Sequence, residues 1–231
     1  MSISLVYTAG GERSAPRSSI AAIVSAEADH RIANSLSIIA GLVRMHRSAV
    51  AARDAPLSAA DACALFDEVA ERISAVGQLH RMMARTSRGG SLDLGDYLRD
   101  IAEGLSATLP SAGRVAPMRY ALRACPIASE RALWIGLVVG EAITNAIKYA
   151  HPSGVPVRIC VACQRLSGGL IAVDVRDDGV GFPEGFDPRR DGGLGLRLVR
   201  TLADRLRGRV EFSDDGVGLR VRLIAPEHAT G

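Results

Sequence analysis

The chain has 231 residues, enough for one large domain or two small ones, each with a core of its own. Formal net charge is only +3, aromatics make up 4%, and no basic cluster is interleaved with them, so nucleic-acid binding has little support. No apolar run approaches the roughly 18 residues a membrane-crossing helix needs, and Met1–Glu12 lacks the basic start and apolar centre of a secretory leader. The expectation is a cytoplasmic protein with no membrane insertion.

Residues 1–18, rich in Gly, Ser and Arg, read as a flexible leader. A first long helix follows, from about Ser19 to Val50, with its apolar stripe at Ile32, Leu36, Ile39 and Val43. At roughly 100° per residue, His30 stands about 150° from the middle of that stripe and points outward. Glu27 and Asn34 share its face, and Asp29 is its neighbour in sequence. Taken alone, an exposed histidine is most often a solvated surface residue; what lies downstream changes its weight.

A connector containing Pro56 leads to a second helix, about Ser58 to Thr86, with a stripe of Leu65, Val69, Ile73, Val76, His80 and Met83. His80, on the apolar side, reads as a packed structural histidine. Two long amphipathic helices with a short connector make an antiparallel hairpin. One hairpin cannot cover both stripes, and pairing with a second copy into a four-helix bundle would, which predicts a homodimer. Residues 19–88 form this unit, and Ser87–Gly90 mark its boundary and candidate hinge.

Residues 89–231 carry a mixed pattern: a short strand and helix over 92–109, a strand at 117–124, and a helix from Ala128 to Ala150. Strands over 155–166 and 169–177 follow, then a helix over 193–206 and a last strand pair, 209–213 and 219–226. The expected fold class is α+β, a two-layer sandwich with helices on one face of a mixed sheet. Of four cysteines, Cys160 and Cys163 form C-x-x-C inside a strand, where odd spacing sends them to opposite faces; with no second pair, a zinc site is not expected.

On the helix through 140–150, Glu141, Asn145 and Lys148 share one face, while Val139, Ile143, Ile147 and Ala150 share the other. Glu and Asn offer the hard oxygen ligands Mg²⁺ takes beside waters and phosphates, and Lys148, the chain's one lysine, offers a compact positive charge. Asp177–Phe182 then reads DDGVGF directly after a strand, with glycines that allow close approach of a flat ligand and Asp178 as an acceptor for an exocyclic amine. Gly192–Val199 is a glycine loop entering a helix, a natural anion site. The pentapeptide DDGVG recurs at 214–218 between two strand-like runs and reads there as a hairpin turn only.

Glu141/Asn145/Lys148, then Asp178-Gly179-x-Gly181, then the Gly192–Gly195 loop, in this order, resemble the Bergerat ATP-binding fold of histidine kinases, gyrase-type enzymes and the ninety-kilodalton heat-shock chaperones. The helix with E-x-x-H-R-I-x-N before it resembles the phosphoacceptor helix of HWE-like sensor histidine kinases, so the likeness spans roughly residues 20 to 225. It implies an ATP-dependent histidine kinase that phosphorylates His30, with Glu27, Asp29 and Asn34 around it, and passes the phosphoryl group to an aspartate of a separate response regulator. It further implies that Asn145 and Glu141 hold Mg²⁺, that Lys148 assists at the phosphates, and that Asp178 reads the adenine amine. Gly179 and Gly181 would shape that pocket, Gly193 and Gly195 would let a lid approach the phosphate tail, and Arg189 or Arg190 is the candidate for the γ-phosphate. No sensory segment is read ahead of the helices, so a separate upstream sensor is expected. Two other readings remain: a phosphotransfer or docking adaptor whose second half no longer turns over ATP, and a serine kinase of the anti-sigma type. The first draws on Ala33, where the resembled family usually has a basic residue.

Overall fold

A computed structural model describes residues 36–37, 39–41, 43–44, 47–48, 50–51, 56, 58–86, 90–108, 115–214 and 217–228. The leader, His30 with Glu27, Asp29 and Asn34, and most of the Ser87–Gly90 hinge lie outside the described residues, as does the side chain of His80. Helical residues between 36 and 51 precede α1 (Ala59–Thr86). The start of α1 is set by a reciprocal cap: the Asp61 N–H donates to Ser58 Oγ at 3.1 Å while the Ser58 N–H donates to Asp61 Oδ2 at 3.3 Å.

After α1 come β1 (Ser91–Asp93), α2 (Leu94–Thr108), β2 (Arg119–Leu122), β3 (Pro126–Ala128), α3 (Ser129–Tyr149), β4 (Ile159–Leu166), β5 (Leu170–Asp177), α4 (Leu194–Arg205), β6 (Arg209–Asp214) and β7 (Leu219–Pro226). Five strands form one mixed sheet in the order β2-β4-β5-β7-β6, with β2 parallel to β4 and every other pair antiparallel. β1 and β3 make a separate two-stranded ribbon, a pairing the sequence reading lacks because β3 is only three residues long. Asp93 fixes this corner: Oδ1 accepts the Asp96 N–H at the start of α2, and Oδ2 accepts the Cys125 N–H at 2.9 Å.

The expected α+β sandwich is borne out. Alternation along the strands builds the core, since Ile159, Val161 and Cys163 of β4 and Ile171, Val173 and Val175 of β5 are buried with Ile143 and Ile147 of α3. Cys163 is therefore inside and Cys160 on the other face, half-buried. Burial pushes the Cys163 thiol up to about 12.

The apolar residues of α1, on and beside the predicted stripe, divide between two surroundings. Val76 (1% exposed) and Leu79 (5%) are buried in the core of the α+β unit with Ile101 and Leu137, whereas Phe66 (69%) and Ile73 (37%) face outward. In the preceding helix Ile39 packs on that core, but Leu36 and Val43 are exposed. The face of α1 turned to the sandwich is thus rotated from the predicted stripe and carries Arg72 with Val76 and Leu79.

Candidate functional site

One cavity of about 1240 Å³ brings together the C-terminal half of α3, the loop after β5, the start of α4 and the inner face of α1. Glu141, Asn145 and Lys148 all line it, as their four- and three-residue spacing requires, while Val139, Ile143 and Ile147 turn into the core; Ala150, also buried, borders the cavity as well. Gly181, Gly193 and Gly195 also line it. A Cβ on Gly195 would stand 2.5 Å from Glu141 Oε2, so any larger residue there would push that carboxylate aside; a Cβ on Gly193 would meet nothing. Gly193 is the extended N-cap of α4 and makes no side-chain cap, so the first backbone N–H groups of α4 begin at the cavity wall.

The acidic pair at the end of β5 requires a correction. Asp178 does not line the cavity: its Oδ1 is 2.9 Å from His151 Nε2 and accepts the Arg158 N–H at 2.9 Å. Burial alone would raise its pKa, but the Arg158 N–H and His151 hold it below the usual carboxylate range. Asp177 is the residue in the wall, 8% exposed, with Oδ1 accepting the N–H groups of Gly179 (2.8 Å) and Leu219 (3.2 Å). Strand alternation carried one step past Val173 and Val175 puts residue 177 on the helix side and 178 on the other.

Gly179 shapes the pocket from behind. A Cβ there would run into Ala150, whose carbonyl accepts the Val180 N–H at 3.0 Å. Gly181 has φ +71, and a Cβ would overlap the Asp214 carboxylate, which also accepts the Phe182 N–H at 3.3 Å. The second DDGVG is therefore more than a turn: Asp214 and Gly218 at its ends brace the first copy, Gly218 abutting the Asp177 carbonyl. Phe182 stacks on Phe186 at 4.8 Å and meets Phe212 edge-on, seating the loop on β6.

Arg189 and Arg190 are exposed and outside the lining; Asp187 engages both, through the Arg189 N–H and a 3.8 Å approach to Arg190 Nε. The loop is held instead by Arg200 of α4, whose Nη1 donates to the carbonyls of Pro188 and Asp191. Among the described residues, the cationic side chains in the lining are Lys148 and one the sequence reading passed over, Arg72. Its Nε donates to Glu141 Oε1 at 3.0 Å, both side chains being about 15% exposed (15% and 14%).

Two family models cover this arrangement. One, described as "Histidine kinase", matches residues 27–109, and another, described as "Histidine kinase-like ATPase domain", matches residues 108–225. The chain belongs to the histidine kinase family. Its likeness to the HWE-type branch is borne out, and it carries that family's catalytic domains. A blue-light-activated histidine kinase of Erythrobacter litoralis is 28% identical over 205 residues, 87% of this chain and 56% of the relative. The sensor histidine kinase PdtaS of Mycobacterium tuberculosis is 27% identical over 76% of this chain and 33% of its own length. The solved blue-light-activated histidine kinase from Erythrobacter litoralis superposes with a TM-score of 0.71 at 27% identity, covering 86% of this chain and 59% of that one. The chain thus spans between a third and three-fifths of the length of these three relatives. Among the described residues no helix is long and apolar enough to cross a membrane.

Proposed function

We propose that the chain is an ATP-dependent protein histidine kinase that phosphorylates its own His30 and hands the phosphoryl group to an aspartate on a separate response regulator. The observation that carries this reading is the single cavity in which a buried carboxylate, an Asn/Glu/Lys face and a glycine loop at a helix start converge. Each of the three suits one part of ATP. Asp177 is oriented by two backbone N–H groups through Oδ1, leaving Oδ2 to accept the adenine amine. Gly179 and Gly181 keep that wall flat enough for a base, and the N–H groups entering α4 face the phosphates beside Lys148. The carboxylate of Glu141 and the amide of Asn145, one turn apart, make a hard-oxygen donor set that fits Mg²⁺, which would neutralise phosphate charge there.

In the transfer, a nitrogen of His30 bonds to the γ-phosphorus as the bond to the β,γ-bridging oxygen breaks and ADP leaves. An ordinary imidazole is mostly neutral, hence nucleophilic, at about pH 7. Glu27 or Asp29 orients the ring or takes its other proton. The protein's part is positioning and charge compensation, and the unit bearing the cavity must reach His30 by moving about Ser87–Gly90. Residues 19–88 serve as the dimerisation and phosphoacceptor unit and 89–231 as the catalytic unit. The exposed Leu36, Val43, Phe66 and Ile73 favour a second copy covering the hairpin.

Equilibrium binding of ATP tests the nucleotide site: affinity that falls at least about tenfold when EDTA removes Mg²⁺ is the expected outcome. ATP affinity absent with and without Mg²⁺ would turn the reading into the adaptor with a silent ATPase-like half.

A further inference from the structure

We propose that the nucleotide site is composite, with Arg72 of the hairpin as a phosphate-positioning residue that exchanges Glu141 for the triphosphate when Mg·ATP binds. This rests on the ATP-site reading above and adds a residue from outside the ATPase unit. Arg72 is seated in the wall by its helix, because Val76 and Leu79, one and two turns on, are buried in the sandwich core. Its guanidinium lies where the phosphates are expected. Nε holds Glu141, and Nη2 would be 3.5 Å from a Cβ on Gly195, against the loop that opens α4. The arginines of the lid do not reach this wall, since Arg189 and Arg190 are exposed outside it.

The exchange follows from charge. Mg²⁺ takes carboxylate oxygen, so binding of the metal competes with the guanidinium for Glu141. The triphosphate brings more negative charge to the same wall than one divalent cation cancels. A planar guanidinium with forked donors suits phosphate oxygens better than an ammonium does. Because the γ-phosphate supplies that extra charge, Arg72 lets the hairpin distinguish ATP from ADP, and linkage makes bound ATP tighten the docking of α1 by the same factor.

The test is calorimetric titration of the full chain with Mg·ATP and Mg·ADP, comparing wild type with Arg72→Ala, Arg72→Gln and Arg72→Lys, each first checked for an unchanged thermal transition. Losing a charge-assisted contact is expected to weaken Mg·ATP about tenfold or more in the Ala and Gln variants and Mg·ADP less than about threefold, with Lys restoring part of the ATP affinity. The Gln variant, which keeps the length of the side chain without its charge, serves if Ala disturbs the fold. Equal or tighter Mg·ATP binding by Ala and Gln would overturn the proposal in favour of a simple competing contact. An equal loss for both nucleotides would overturn it in favour of a packing role. Absence of Mg·ATP binding in wild type would instead bring down the nucleotide-site reading on which it rests.

Discussion

Replacing Asp177 with asparagine is expected to lower ATP affinity about 10- to 100-fold, while Asp178→Asn leaves it within about twofold. The two carboxylates are adjacent in sequence and differ in every contact. The Gly179 and Leu219 N–H groups both donate to Asp177 Oδ1, so an asparagine keeps its carbonyl oxygen toward them. Its NH₂ group then faces the adenine amine, donor against donor, in a wall only 8% exposed. Asp178 faces away and serves stability: the Arg158 N–H and His151 hold its pKa below the ordinary carboxylate value. A depressed folded pKa stabilises the native state above the unfolded value and is lost as pH falls through the folded one. The Asp178→Asn deficit should therefore be full at neutral pH and fade as pH drops through about 4 and below, read as the difference in urea midpoint between variant and wild type. Nucleotide affinity falling in Asp178→Asn and surviving in Asp177→Asn would reverse the assignment.

Gly181→Ala is expected to cost roughly 3 kcal/mol or more of unfolding free energy. Two costs combine. The backbone there is left-handed, φ +71, and the new Cβ would overlap the Asp214 carboxylate that also accepts the Phe182 N–H. Asp214 must then move, and the loop carrying Phe182 and Phe186 loses its tie to β6. Gly193→Ala is the matched control, since φ is −71 and nothing stands within 4 Å of its Cβ; a change within about 0.5 kcal/mol is expected. Denaturant unfolding of the two variants reads the contrast, and an undisturbed Gly181→Ala would show that Asp214 does not brace this loop.

Elements written by local periodicity were legible in the sequence. The helix at 129–149 declares both its faces, and β7 runs over the same residues, 219–226, that alternation marks. The ribbon partner β3 escaped because three residues are too short for a period to show. The aspartate of the cavity wall was misplaced by one residue because DDGVG offers two carboxylates to the same pattern. The neighbouring strand decides between them, since Val173 and Val175 are in the core and residue 177 follows on their face. Arg72 was invisible for a different reason. Periodicity shows that a helix has an apolar side but not which rotation a second unit selects, and the docking of Val76 and Leu79 is what turns Arg72 inward. That Arg189 and Arg190 stand exposed outside the cavity wall was not legible on similar grounds, because the hydrogen bonds of Asp187 and Arg200 that shape their loop follow from its folded course.

The central claim is that phosphate passes from ATP bound in this cavity to His30. Incubating the full chain with γ-labelled ATP and Mg²⁺, beside His30→Ala and Asn145→Ala, tests it most directly. The expected result is acid-labile label on the wild-type protein and none on either variant. Acid-stable label that persists in His30→Ala would contradict the account and point to a serine kinase instead.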